Sequence, residues 1–423
     1  MITLSSQWVI RGDGSPVFPG SVSLKDTRIS SVTPLSASRD LPASRTHSLD
    51  GFTILPGLID AHSHLGLVVR PHGSVVAAAV VAALIFDNAR VALQEGFTTL
   101  RDVGGLDGGL VQAIGDGLLA GPRILPSGPL LSPTGGHADW GPAFDYLAPR
   151  DTVPGLVQPS VMVDGVDAMI RSARTAFRDG ATQLKLTLSG GFSSENDQLQ
   201  DVQFGLEELR AAVEVAHGHH TYVTAHAYHV EAVQLGLRAG IECFEHGTFL
   251  DESTIKDVQV HGAVIVATLS CLEPYQDPQI REALRPELVE WARDAFPAMA
   301  RVVKMANDAG VTVGLGSDQS GPAQCNRAHE LAVRARITNP LEAIHAATAG
   351  NASILRLSGQ VGCLREGLAA DLIAIDGDPT TNPEILEEPA YVRLVVRSGK
   401  LHKNTLPEPL KTEVARAFAS NSG

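Results

Sequence analysis

Eight short apolar runs, each parted from the next by a longer polar or helical stretch, set the architecture open to this chain. Between about residues 56 and 355 they read LPGLIDAHSH, FTTLRDV, RILPSG, QLKLTL, YVTAHAY, CFEHGT, AVIVATL and VTVGLGSD. The amphipathic patterns VDAMIRSARTAFRDG, LEELRAAVEVAHG and VEAVQLGLRAG lie among them, each ending near a glycine able to cap a helix. Eight strand–helix repeats of this length predict an α/β fold, a (β/α)8 barrel. An open doubly wound sheet fits less well, because no G-x-G-x-x-G turn follows the first strand. The two chain ends differ from this middle: short β-like runs alternate with Gly, Pro and Ser turns. We expect residues 1–55 plus 356–423 to pair into a small β-sandwich domain, and residues 56–355 to form the barrel.

Composition narrows the classes of function. Hydrophobic residues make up 44% of the 423, enough for a large core. Lys and Arg total 33 against 47 Asp and Glu, a net charge of −14, which disfavours nucleic acid and anionic membranes as partners. No apolar run reaches the roughly 18 residues of a membrane span. Residues 75–86 (VVAAAVVAALIF) come nearest and read as a barrel-packing helix. Cys243, Cys271, Cys325 and Cys363 include no C-x-x-C pair, so they read as reduced and mostly buried. Met1 leads directly into strand-like sequence, so the expected compartment is the cytoplasm, although a sequence can begin after a removed secretion leader. Two connections exceed ordinary loops, Pro129 to about Val163 and Ser270 to about Arg281. Both follow strands at the rim where barrel active sites sit. Trp140, Phe144 and Tyr146 suit a packed wall or lid better than a disordered insertion.

Chemistry gathers at the strand ends. His62 and His64 are two apart on a strand, so both imidazoles face one side and can converge on a cation. Lys185 shares a face of QLKLTL with Gln183 and Thr187. A charged lysine inside a barrel is costly unless paired or changed; reaction with CO2 would make it a carbamate with two ligating oxygens. His226 and His246 end consecutive strands, and Asp318 ends the eighth. Each has an ordinary reading when taken alone: a surface or structural histidine, a salt-bridged lysine, an aspartate capping the next helix. Together they place four His, one Lys and one Asp on one rim, a nitrogen and oxygen donor set suited to Zn2+, with Co2+, Mn2+ or Ni2+ as replacements.

LPGLIDAHSH, QLKLTLSGG, TAHAYH, FEHGT, GLGSD and the tail GCLREGLAADLIAIDGDP together resemble the amidohydrolase superfamily over nearly the whole chain. The SPTGGH loop and the Tyr of HAY resemble its imidazolonepropionase-like branch, which holds Xaa-Pro-type dipeptidases, carboxypeptidase-like enzymes and ochratoxin-hydrolysing enzymes. The resemblance implies a TIM barrel with a closing β-sandwich segment, and two divalent cations, Zn2+ first among them. It implies that His62, His64 and Asp318 hold one cation, that His226 and His246 hold the other, and that N6-carboxylated Lys185 bridges them. Asp318 would take a proton from the attacking water and pass it to the leaving amine. His137 and Tyr228 would hydrogen-bond the substrate carbonyl or carboxylate. His229 stands where the family commonly has glycine. His217, His219 and His220 read as a solvated helix end, and His72, His261, His329 and His345 as structural or surface residues.

The expected activity is binuclear hydrolysis of an amide with an amino-acid leaving group. Its substrates would be dipeptides, N-acyl amino acids or aryl amides such as ochratoxin A. A mononuclear cyclic-amide hydrolase or deaminase of the imidazolonepropionase type is the alternative, disfavoured because those relatives normally lack the strand-4 lysine. A non-catalytic protein on the same fold would have lost ligands, and none is missing. The resemblance, with the apolar helix at 75–86, also implies a homo-oligomer, an octamer among the assemblies open to it.

Overall fold

The structure is a computed structural model that describes residues 1–37, 46–68, 76–140 and 152–420. All eight expected segments form strands: Leu58–Ser63, Phe97–Asp102, Arg123–Pro126, Leu184–Thr187, Val223–His229, Cys243–Phe249, Val264–Ala267 and Val313–Leu315. Each pairs in parallel with its neighbours. Nearly every residue of these strands is buried, as expected of parallel strands covered on both faces. Helices Val166–Arg178, Leu206–Gly218, Val230–Ala239, Glu252–Val260 and Pro286–Asp308 alternate with the later strands and pack their apolar stripes onto them.

Hydrogen bonding sorts the strands into two sets. One runs in the order 58–63, 97–102, 123–126; the other five strands continue a seven-stranded sheet that starts with Ser160–Met162 and Leu130–Ser132. Isolated bonds join the sets. Thr182 N–H donates to the Pro126 carbonyl at 2.8 Å on one side, and Asp318 N–H to the His62 carbonyl at 2.8 Å on the other. The ladders by themselves do not trace one closed barrel.

The chain ends meet in one eight-stranded sheet, a coarser result than the sandwich expected. Leu372–Asp376 pairs antiparallel with Phe52–Pro56 and so joins them. Helix Leu410–Ser420 buries Val414 and Phe418 against this sheet. Phe52–Pro56 passes through Gly57 alone into Leu58–Ser63, the strand that carries His62. Gly57 is obligatory there, since a Cβ would lie 2.2 Å from the Thr98 hydroxyl oxygen.

Several details differ from expectation. The apolar helix runs Ala78–Gln94, beyond residue 86. Segment 270–281 is not a loose loop: Glu273–Gln276 and Pro278–Glu282 are helical turns, each opened by a proline at its start. Of the long 129–163 connection, Phe144 and Tyr146 lie outside the described residues, as does His72. Gly218 is the last residue of its helix, and His220, with φ +58°, takes the left-handed turn beyond it. His217 pairs with Glu242 at 3.0 Å and His219 stacks on Phe177 at 4.2 Å, as a solvated helix end allows. The four cysteines are free, but only Cys243 is buried; Cys271 and Cys363 are partly exposed and Cys325 is exposed. Among the described residues, no helix is long and apolar enough to cross a membrane.

Candidate metal centre

The strand ends deliver their histidines in a row. Ring centroids step 5.2 Å from His64 to His62, 4.9 Å to His246, 4.7 Å to His226 and 4.3 Å to His137. Asp318 lies at the His62–His64 end, its Oδ1 3.2 Å and 3.3 Å from their Nε2 atoms. Ligand atoms of His62, His246 and Asp318 fall within 4.8 Å of one another. Lys185, 1% exposed, lines the same cavity. All six expected ligands therefore meet, and Tyr228 packs its ring edge on His226 at 4.4 Å.

The outward hydrogen bonds test whether cations fit. His62 Nδ1 is 2.6 Å from the Glu245 carboxylate, His64 Nδ1 3.4 Å from the Gly104 carbonyl, and His246 Nδ1 2.8 Å from the Thr268 hydroxyl. His226 uses its other nitrogen, Nε2, 3.2 Å from the Gly190 carbonyl. A carboxylate or carbonyl can only accept, so in His62, His64 and His226 the outward nitrogen carries a proton, which in the neutral ring that binds a cation leaves the inward one bare. The bare Nε2 atoms of His62 and His64 then sit 3.3 Å apart beside an Asp318 oxygen. Three lone pairs brought this close repel one another unless a cation lies among them. The residues present fit the group.

Two anchors that sequence reasoning missed hold this end of the row. Glu245 is fully buried and accepts from Arg101 at 2.6 Å as well as from His62. Although burial opposes its charge, Arg101, Lys185 and His62 hold its carboxyl well below the usual range. Asp60 accepts from the Ser317 hydroxyl at 2.6 Å and from Arg327 at 3.2 Å, tying the first strand to the eighth. Alternation should send Glu245 and His246 to opposite faces. His246 has φ +68°, a left-handed conformation that non-glycine residues seldom adopt, and Asp318 has φ +54°. The break in strand geometry lets two successive residues serve one site. The only signal in the sequence was an acid directly before the histidine of FEHGT.

Burial sets the electrostatics. It pushes the Lys185 ammonium down to about 8, with Arg101 adding to the shift and Glu245 opposing it. It also pushes the His137 imidazole down to about 3, helped by Lys185. Asp318 is 23% exposed and so reachable from the cavity. The cavity measures about 280 Å³. Phe192, Tyr228 and Tyr275 form one wall, backed by Trp291, which lies 5.4 Å from Phe192 and 5.0 Å from Tyr228. Trp140, Leu67, Leu130 and Leu272 complete the apolar lining.

A family model described as the amidohydrolase family matches residues 53–402. The chain belongs to the amidohydrolase family. As an amidohydrolase it is a hydrolase acting on amide bonds. It is 32% identical to ochratoxinase of Aspergillus niger, over 93% of this chain and 85% of that protein. A prolidase crystallised with N-methylphosphonate-L-proline superposes with a TM-score of 0.86 at 33% identity, covering 95% of this amidohydrolase and 99% of the prolidase. A Xaa-Pro dipeptidase with methionine bound in its active site gives 0.81 at 27% identity, covering 95% and 100%. These likenesses imply a TIM barrel and support the branch expected from the sequence.

Proposed function

We propose that this amidohydrolase is a binuclear metal enzyme that cleaves an amide bond and releases an amino acid. The observation that carries the reading is the convergence of bare histidine nitrogens on Asp318, each with its outward N–H committed elsewhere. His62, His64 and Asp318 would hold one divalent cation, His226 and His246 the second, with Zn2+ the natural occupant of such donors. Lys185, as its carbamate, would bridge them. The depressed Lys185 value favours the neutral amine, the form that adds to CO2. Residues 56–355 act as the catalytic barrel, and 1–55 with 356–423 as the companion β-sandwich domain.

When bound, the cations acidify water and polarise the scissile carbonyl. Asp318 accepts a proton from the attacking water and delivers it to the leaving nitrogen, so that O–H adds to the acyl carbon and H to the amine. Tyr228 would hydrogen-bond the substrate carbonyl oxygen or carboxylate, keeping its own proton. His137 contacts the substrate from the other end of the row. The aromatic wall suits an apolar side chain, so dipeptides, N-acyl amino acids and ochratoxin A are the substrates to try. Support for that choice comes from the ochratoxinase, prolidase and dipeptidase relatives. A mononuclear cyclic-amide hydrolase is disfavoured by Lys185. Self-association is also proposed, through the helix Ala78–Gln94, where Ala78, Val80 and Ala83 are exposed; sedimentation as a 44.6 kDa monomer would refute it.

Metal analysis should give two ions per chain, and a hydrolysis screen over the three substrate classes should find activity. Lys185→Ala should lose most of the second metal and nearly all turnover, with partial rescue by added short carboxylates. Two metals and full activity in that variant would sink the assignment of Lys185 as the bridging ligand.

A further inference from the structure

Part of the cavity wall is tied down from outside by charges. Leu272 and Tyr275 face the cavity, and Tyr275 packs on Phe192 at 5.0 Å. Both lie in or beside the helical turn Glu273–Gln276, shortly after the seventh barrel strand, Val264–Ala267. Glu273, between them in sequence, sends its carboxylate to the helix His329–Ile337. One of its oxygens lies 2.7 Å from Arg336 and the other 2.6 Å from His329 Nε2. Beyond these two stands Glu387, which follows the helical turn Pro383–Leu386 between two strands of the sheet made by the chain ends. One Glu387 oxygen lies 3.0 Å from Arg336 and the other 3.3 Å from His329 Nδ1.

These contacts close a circuit from Glu273 through Arg336, Glu387 and His329 back to Glu273. Each of the four carboxylate oxygens meets a different nitrogen. With His329 as imidazolium the signs alternate all the way round, whereas a neutral imidazole would turn a bare nitrogen to one carboxylate. All four side chains are partly exposed, and a lone ion pair in such a place contributes little; several charges joined in a network contribute more. The circuit also binds three separate stretches of chain: the cavity wall, a barrel helix and the sheet of the chain ends. Glu330, next to His329, accepts the backbone N–H groups of Leu269 and Ser270 and so fixes the approach to the same turn.

We infer that Glu273, His329, Arg336 and Glu387 are positioning residues that hold Leu272 and Tyr275 against the cavity and so set its grip on a bulky apolar side chain of the substrate. The substrate half of this inference rests on the amide hydrolysis proposed above; the holding of the wall does not. None of the four lines the cavity, so they act on the substrate through the wall alone. Binding of large substrates should respond to their loss, while turnover and metal content should not.

L-Phenylalanyl-L-phenylalanine and L-alanyl-L-alanine offer the wall large and small side chains. In metal-loaded Glu273→Ala, KM for the phenylalanine dipeptide should rise about fivefold, the scale of two part-exposed ion pairs, and KM for the alanine dipeptide should stay within about twofold. Glu273→Gln, which keeps the shape without the charge, should behave the same way. Arg336→Ala should give part of the shift, and the double variant should be no worse than Glu273→Ala, since both changes open one circuit. Equal shifts for the two dipeptides, additive shifts in the double variant, or a lowered melting temperature with the ratio of the two KM values unchanged would overturn the inference. Hydrogen exchange reads the wall without turnover. Backbone amides of residues 271–276 should exchange faster in the Glu273→Ala holoenzyme than in wild type, and those of the strand Cys243–Phe249 at the same rate; unchanged exchange at the turn overturns the inference. A wild type that hydrolyses neither dipeptide counts against the proposed reaction, and the exchange rates then decide the holding of the wall.

Discussion

The two ends of the histidine row are held by different physics. At the His62–His64 end the main supports are buried charges, Glu245 between Arg101 and His62 and Asp60 between Arg327 and Ser317, with the Gly104 carbonyl behind His64 the neutral exception. At the His226–His137 end they are neutral or lie one step removed: the Gly190 carbonyl, the Ser194 hydroxyl, stacked rings and a glycine contact. Buried charge pairs are stiff, because removing one partner strands the other out of water at a cost of about 3–5 kcal/mol. Neutral hydrogen bonds and ring contacts can be altered singly at about 1 kcal/mol each. The first end is thus built to hold a fixed reacting geometry, and the second can vary with the substrate.

This contrast can be broken by four substitutions. Asp318→Asn, at the charged end, keeps one ligating oxygen and the size of the side chain but carries no proton at neutral pH. Its kcat should fall about 10²–10⁴-fold, roughly 3–5 kcal/mol of barrier, with most metal retained. Near-normal kcat with a lowered melting temperature would reduce Asp318 to a helix cap. Glu245→Gln should weaken metal binding about 10–100-fold, as loss of a carboxylate behind a ligating histidine does; competition with a chelator measures it. Gly191→Ala should press on the His137 ring and cost about tenfold in kcat/KM through KM, with metal content unchanged. If it released metal as readily as Glu245→Gln, the two ends would not differ in kind.

The mildest change in rate is expected from Glu330→Gln. Glu330 is buried and accepts the backbone N–H groups of Leu269 and Ser270, at the turn beyond the strand Val264–Ala267. Burial pushes its carboxyl up to about 8 from an ordinary 4.5. Below about pH 4.5 the group is protonated in folded and unfolded chains alike. Between there and 8 the unfolded chain ionises and the folded one does not, so stability falls as pH rises, by at most about 1.4 kcal/mol per pH unit. The melting temperature of wild type should fall relative to that of the Gln variant across that window, with the variant keeping its activity. Parallel pH profiles for the two proteins would show that Glu330 is ionised when folded.

The six proposed ligands were legible because each is a polar residue at the end of an apolar run, and a parallel barrel gathers such ends on one rim. Glu245 was not, because the period of two places it away from His246, and only the positive φ at His246 reconciles them. Ser194 was hidden in SGGFSSEND, which reads as an ordinary turn-rich loop. The reason for Gly191 is a ring attached to residue 137, a contact that local pattern does not encode. The helical turns after Ser270 could have been read from Pro274 and Pro278, each preceded or followed by an acidic residue suited to a helix start. The pairing of the chain ends was expected in kind, but repeated short strands do not reveal which edges meet.

The adjacency of Phe52–Pro56 and Leu58–Ser63 has a consequence for biosynthesis. The first of these strands is flanked in its sheet by Ile2–Val9 on one side and on the other by Leu372–Asp376, which pairs in turn with Val392–Arg397. A ribosome releases the His62 strand early, yet the strand leading into it lacks one of its two neighbours until more than three hundred further residues have been made. Contacts of such long sequence separation form late. The rim that carries the proposed ligands is therefore braced on both sides only near the end of synthesis, and a chain stalled before residue 372 would carry all six of those residues with one edge of the bracing strand unpaired.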